Sequence, residues 1–290
     1  MKKETVLGFI YGIISSATFG LIPLFTLPVI QEGMLFPSIL LYRFLFACII
    51  LLSILLIKGT SLRLRLKEIP SLILLALMYN VSSIFLFWGY HLMSSGVATT
   101  IHFMYPVFTT LIMMFFFKEK SSKWRFFAIV MAIIGVAFLS LTSANEAQIT
   151  SKGLIIVLLS ALGYGSYIVA VNHLKLKMSG AKLTFYVFLF GGLILFSGIQ
   201  TVSSVQAIPN TKALSSLFFL ALIPTILSNL ALIQAVKRIG STVTSVLGAM
   251  EPVTAIVMGL LFFQEVFTLD IGIGISLIIT AVLIIVLKGR

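Results

Sequence analysis

Residues 105–119 read YPVFTTLIMMFFFKE and residues 251–265 read EPVTAIVMGLLFFQE. Pro106 and Pro252 stand 146 positions apart, and Glu119 and Glu265 are separated by the same 146. Matches of Val, Leu or Phe carry little weight in so apolar a chain. Eight prolines and eight acidic residues in 290 make coincidences of Pro with Pro and Glu with Glu informative. The stretches that open each half agree nearly in register, with Gly8 and Gly153, Ser15 and Ser160, and Gly20 and Gly165 each 145 apart. Self-similarity at a fixed period marks two copies of one unit, here residues 1–146 and 147–290.

The surroundings of these stretches set the fold class. With 60% hydrophobic residues, 10% charged residues and a mean hydropathy of +1.17, the chain cannot wrap a core in a polar surface. A helix that crosses a hydrocarbon layer about 30 Å thick needs about 20 apolar residues. Ten such runs are read, over residues 7–29, 35–57, 70–91, 95–117, 125–142, 153–172, 183–204, 213–236, 240–263 and 270–287. The gaps between them are too short for a soluble domain. The expectation is an all-α polytopic membrane protein of ten transmembrane helices, with its function inside the membrane. The opening Lys2 and Lys3 followed by apolar residues resemble a signal peptide. The run is too long for a signal core, and VIQEGMLFP after it offers no small-x-small cleavage site, so it reads as the first helix. Cys48 is the single cysteine, which excludes an internal disulfide and reads as packing.

The net charge of +12 raises the possibility of a nucleic-acid partner, and the placement of the charges removes it. With the N-terminus cytoplasmic, the inner segments hold Lys2 and Lys3, then Lys58, Arg63, Arg65 and Lys67, then Lys118, Lys120, Lys123 and Arg125. Lys175, Lys177 and Lys182, then Lys237 and Arg238, then Lys288 and Arg290 complete that side. Seventeen basic residues thus face Lys152 and Lys212 outside, with Arg43 inside the second helix. That asymmetry predicts both termini in the cytoplasm. Because each half has an odd number of helices, the two copies insert in opposite directions and form an inverted repeat, an arrangement suited to alternating access around a central site.

The ten runs, the repeated P-x12-E of the fourth and ninth helices, SSATFG (residues 15–20) in the first and YRFLFA (residues 42–47) in the second together resemble the EamA branch of the drug/metabolite transporter superfamily. The resemblance spans essentially the whole chain. It implies two five-helix bundles around a cavity lined by helices one, three, four, six, eight and nine, with five and ten peripheral. It also implies secondary transport of small metabolites across a bacterial inner membrane, often export.

Several residues stand out against the apolar background. A carboxylate near the bilayer middle costs roughly 2.5–3.5 kcal/mol, so Glu251 is expected to face a cavity. There it either takes up a proton, because low dielectric disfavours the charged form of a carboxyl, or pairs with a substrate cation. Its structural alternative is a bond to Arg43 or to Thr254. Tyr105 occupies the matching place in the first half. Pro106 and Pro252 each remove a helix hydrogen bond and are expected to kink their helices, freeing the carbonyls of His102 and Gly248. These kinks serve either gating or packing. Arg43 and His102 fall at one level, about 10–12 Å from the outer end at 1.5 Å per residue. Arg43 is read as a substrate anchor, an outer gate, or a snorkelling arginine bonded to backbone carbonyls. His102 is either a proton relay or a hydrogen-bonded cavity residue. Of the aromatic and amide residues on the lining helices, Tyr79, Asn80, Tyr164 and Asn229 join Tyr105 as site candidates. Tyr167, Gln234, Trp88 and Tyr90 also fall there, the last two near helix ends. Gly8, Gly12, Ser16 and Gly20 form a ridge of small residues for close packing.

Chemistry of other kinds finds no footing. There is no Gly-Lys pair to close a phosphate loop, and His91, His102 and His173 lie on three helices without metal-ligand spacing. A Gly-x-Ser-x-Gly elbow is also missing. The expectation is a transporter and not an enzyme, with no cofactor and no metal. Its partners are a small-molecule substrate, the lipid bilayer and, with coupling, protons. A monomer suffices, because the repeat completes the site within one chain. Export of amino acids or related amphipathic compounds is the leading reading. Uptake of an organic cation such as a quaternary amine, and a lipid-handling or structural role, are the alternatives.

Overall fold

The computed structural model describes residues 3–92, 95–119, 122–143, 151–174, 176–202, 204–262 and 269–288. Lys2, Lys120, Lys175, Glu265 and Arg290 lie outside the described residues. The described residues form helices and their connections, with no strand among them. In chain order they are α1 (Lys3–Phe19), α2 (Ile22–Gln31), α3 (Phe36–Ile57), α4 (Ile69–Leu92), α5 (Ser95–His102), α6 (Tyr105–Phe117), α7 (Lys123–Ser143) and α8 (Ser151–His173). The order continues with α9 (Gly180–Val202), α10 (Thr211–Leu220), α11 (Ser228–Ile239), α12 (Ser241–Leu247), α13 (Met250–Phe262) and α14 (Leu269–Lys288). A π-helical segment, Ala221–Leu227, joins α10 to α11 without a break.

Six helical segments among the described residues are long and apolar enough to cross a membrane: Lys3–Gln31, Phe36–Ile57, Leu66–Leu92, Lys152–His173, Gly180–Gly198 and Thr211–Ile239. The fourth, fifth, ninth and tenth apolar runs are not among them, and the fourth and ninth are each divided. The fourth separates at Phe103–Met104 into helices of 8 and 13 residues, and the ninth at Gly248–Ala249 into helices of 7 and 13. At 1.5 Å per residue none of these pieces spans the layer alone.

The divisions correct the expectation of kinked helices. Pro106 lies in the first turn of α6 and Pro252 in the first turn of α13, where a missing N–H removes no intrahelical bond. The chain stops one helix and starts another instead of bending one. The carbonyl of Gly248 is not free, since it accepts the N–H of Glu251 at 2.8 Å. Pro23 likewise starts α2 after the break at Gly20–Leu21. Pro28 lies inside α2, and Pro224 sits in the middle of a continuous segment, where the π turn absorbs it.

Packing is by pairs. α4 lies along α8, α1 along α11, α3 along α9, and α7 along α14. The α7–α14 pair meets the rest through α5, α12 and α13. Phe115 and Phe116 on α6, Phe126 and Phe127 on α7, and Leu261 and Phe262 on α13 are exposed. Arg43, Asn80, His102, Asn229 and Glu251 are buried. Apolar groups outside and charged or amide groups inside is the distribution that a hydrocarbon solvent selects.

Candidate functional site

The two divided runs cross where they break. Tyr105, the first residue of α6, places its hydroxyl against Gly248, in the space that a Cβ there would occupy. Three residues on, Glu251 lies in the first turn of α13, an end of the helix where the backbone dipole favours negative charge. Its residue is 2% exposed. Its side chain bonds neither Arg43 nor Thr254. Thr254 returns its hydroxyl to the carbonyl of Met250 at 3.0 Å, and the Glu251 carboxylate has no hydrogen-bond or ion-pair partner among the described residues. On the backbone side Gly20 presses against the Glu251 carbonyl, leaving no room for a side chain. Gly165 approaches the carbonyl of Tyr105 in the same way, at 3.0 Å from the position of a Cβ.

Arg43 enters from α3 and is 1% exposed. Its Nε donates to Thr225 Oγ1 at 2.5 Å and its Nη2 to the Tyr79 hydroxyl at 3.2 Å. Its guanidinium lies 5.8 Å from the centre of the Phe87 ring. Asn229 donates to the same Tyr79 hydroxyl at 3.0 Å and to the Thr225 carbonyl at 2.9 Å, and accepts from Tyr167 at 3.4 Å. The snorkelling arginine bonded to backbone carbonyls is therefore not what is found. Arg43 is held inside by side-chain hydroxyls from α4 and from the π segment.

His102, the last residue of α5, is fully buried. Its Nδ1 lies 2.9 Å from Ser160 Oγ, which bonds the Ser82 carbonyl at 2.6 Å. Phe19, Tyr105 and Tyr164 surround the ring at centroid distances of 6.3, 5.5 and 5.4 Å. Tyr164 stacks on Phe19 at 5.2 Å and meets Tyr105 edge-on at 4.8 Å. A path of rings, Tyr164 to Tyr167 at 6.2 Å and Tyr167 to Tyr79 at 5.2 Å, joins this cluster to that of Arg43.

Of the residues expected from sequence, Arg43, Tyr79 and Asn229 thus meet in one cluster, and His102, Tyr105 and Tyr164 in another, with Glu251 beside the latter. Asn80 stands apart, donating to the Gly191 carbonyl at 2.9 Å where α4 packs on α9. Phe19, Ser160 and Thr225 were not expected. The repeat spacing is the signal that points to them. Phe19 and Tyr164 are 145 apart and stack on each other, while Tyr79 and Thr225 are 146 apart and both bind Arg43. Ser15 and Ser160, 145 apart, meet Ser228 and Ser82, 146 apart, with the donor exchanged between the halves: Ser228 Oγ donates to the Ser15 carbonyl at 2.9 Å, and Ser160 Oγ donates to the Ser82 carbonyl at 2.6 Å.

Both ends of the bundle are tied. At one end Glu119 pairs with Arg125 at 2.7 Å and accepts from Thr242 at 2.9 Å, Arg238 pairs with Glu4 at 3.0 Å, and Lys182 donates to the Ser61 and Arg63 carbonyls. At the other, Gln206 accepts from the Leu35 N–H at 2.6 Å and Asn210 donates to Glu32 at 2.8 Å.

The profile of the EamA-like transporter family matches this chain twice, over residues 6–141 and 151–287. The uncharacterized transporter YdfC of Bacillus subtilis (strain 168) is 22% identical over 70% of this chain and 67% of its own length. An uncharacterized transporter of Archaeoglobus fulgidus is 23% identical over 82% of this chain and 84% of its own. One crystal structure superposes with a TM-score of 0.82 at 17% identity, covering 100% of this chain and 98% of the other, a likeness of fold.

Proposed function

The chain belongs to the EamA-like transporter family, a family of multi-pass membrane proteins, and on that premise we propose that it is a secondary transporter that exports amino acids or related amphipathic metabolites by alternating access. Ten transmembrane helices form two inverted repeats, residues 1–146 and 147–290, with both termini in the cytoplasm of a bacterial cell and the chain in its inner membrane. One chain contains a complete site, so a monomer suffices.

The observation that carries this reading is the crossing of the α5–α6 and α12–α13 breaks beside a buried carboxylate without a partner. Divided helices near the middle of the membrane are where transporters form substrate sites, and an unpaired acid buried there is costly without a function. Glu251 takes the cationic group of the substrate or the coupling proton. Tyr105, Tyr164 and His102 wall the site on Glu251's side, and Arg43, Tyr79 and Asn229 form its other pole. Asn80 contributes through the α4–α9 contact, and Pro106 and Pro252 set the breaks about which the helices move.

A thermal-shift screen of the purified protein against amino acids, nucleosides, amines and organic cations, run in parallel on Glu251→Gln, tests this. Bound ligand stabilises by RT ln(1 + [L]/Kd). A compound that stabilises the wild type and not the variant, and that exchanges across proteoliposomes, is the expected result. Silence across the panel in both assays sinks the reading.

A further inference from the structure

The hydrogen bonds around His102 determine which of its ring nitrogens carries the proton. Ser160 Oγ lies 2.6 Å from the Ser82 carbonyl and 2.9 Å from His102 Nδ1. A carbonyl can only accept, and a hydroxyl has one proton to give. Ser160 therefore spends its proton on Ser82, and the bond to the ring runs from Nδ1–H to Ser160 Oγ. A neutral imidazole holds one proton, which leaves Nε2 as a bare acceptor. That atom is buried and has no hydrogen-bond partner, a condition rare enough in folded proteins to require an explanation.

The surroundings narrow what would satisfy it. Phe19, Tyr105 and Tyr164 present rings to His102. Phe19 is followed by Gly20, which touches the Glu251 carbonyl, and the Tyr105 hydroxyl rests against Gly248 in the break before Glu251. A bare acceptor thus lies among these rings, one helix break away from the partnerless carboxylate of Glu251. The complementary ligand is a cation that also donates hydrogen bonds. A fully methylated ammonium has the charge and no donor, and would leave Nε2 unpaired. A carboxylate would set lone pair against lone pair.

We infer that the transported molecule carries a protonated primary or secondary amine, and that His102 Nε2 accepts one of its N–H bonds, selecting it over a fully methylated ammonium. This rests on the transport reading above and makes His102 a specificity residue of that site.

Histidine labelled with 15N gives three residues to resolve, and loss of signals in His102→Gln assigns the one in question. The expected spectrum shows an Nδ1–H, Nε2-bare ring, whose Nε2 signal moves on addition of 2-phenylethylamine and stays with its N,N,N-trimethyl counterpart. Thermal shift should report the amine binding about tenfold more tightly than the trimethyl compound. That preference should fall toward unity in His102→Leu and survive largely in His102→Gln, whose carbonyl offers an acceptor near the place of Nε2. A protonated Nε2, equal binding of the two probes, no binding of either, or a preference untouched by His102→Leu overturns the inference. The wild-type spectrum and probe pair decide the matter even if the leucine variant does not fold. A compound of another class that binds in a Glu251-dependent way and leaves the Nε2 signal still would overturn this inference and leave the transport reading standing.

Discussion

Gly20 lies against the carbonyl oxygen of Glu251 so closely that a Cβ at position 20 has no space. Gly165, 145 residues on, stands in the same relation to Tyr105, 146 residues before Glu251. Each half of the chain thus supplies the glycine that lets the other half's divided helix approach. The obstacle is backbone in both cases, and backbone at the start of a helix cannot swing aside as a side chain can.

Alanine at either glycine is therefore expected to overpack the centre. The cost should be about 1–3 kcal/mol, with transport lost in step, measured by thermal unfolding in detergent and by uptake into proteoliposomes. Gly192→Ala is the control, since its nearest neighbour is Phe44 Cβ at an ordinary 3.7 Å. Equal tolerance at all three positions would mean that the close approach does not hold the centre together.

Arg43 is held through Thr225 and Tyr79 together, and the geometry of a guanidinium fork is not reproduced by an ammonium. Arg43→Lys should behave like a deletion of the contact. Thr225→Val and Tyr79→Phe should each cost about 1–3 kcal/mol, the penalty of a buried donor left unpaired. The double variant should cost less than the sum, because the two share one partner. Additive losses in a double-mutant cycle of unfolding free energies would show that the two bonds are independent.

The outline of the fold was readable because hydropathy and repeat spacing are one-dimensional signals. The apolar runs lie on helices, and His102, Tyr105 and Tyr164 meet around the break between α5 and α6. What misled was proline. Pro106 and Pro252 were expected to bend continuous helices, yet a proline in a first turn forms no fewer bonds than any other residue there, so the chain could begin a new helix at no cost. Asn80 is an amide on an expected lining helix, but adjacent residues on a helix point about 100° apart, and it bonds α9 and not the Tyr79 cluster. Phe19 and Thr225 carry no polarity that sets them apart in sequence. Only their partners one repeat away, Tyr164 and Tyr79, mark them.

Glu251→Gln removes a charge that no described group compensates, so folding has nothing to lose by it. The variant should be at least as stable as the parent in detergent, while exchange in proteoliposomes falls by about tenfold or more, the loss that one charged contact of about 1.5–3 kcal/mol entails. A destabilised variant that still transports would reverse the assignment and make the carboxyl a structural group.

Topology can be read chemically because Cys48 is the single cysteine. In a Cys48→Ser background, cysteine at Ser61 should label with a membrane-impermeant maleimide only after the cytoplasmic face is opened, and cysteine at Thr211 in intact cells. The reverse pattern would place the basic loops outside and contradict the charge asymmetry.

Glu119 ties the end of α6 to the first turn of α12 through Thr242, and pairs with Arg125. Beneath it, Thr109 and Thr110 bury hydroxyls without partners, and Thr110 and Met113 line the narrow space between the two helices. The ion pair is partly exposed, at 31% and 18%, and is worth about 0–1 kcal/mol. The bond to Thr242 adds about 1 kcal/mol. Glu119→Ala removes both, which should raise the opening of the seam about tenfold. Cysteine at Thr110 in the Cys48→Ser background should then label about tenfold faster than with Glu119 intact, and Glu119→Gln, which keeps an acceptor for Thr242, should fall between. Labelling at one rate in all three would mean that side-chain packing of α6 on α12 closes this end and that the Glu119 bonds only decorate it.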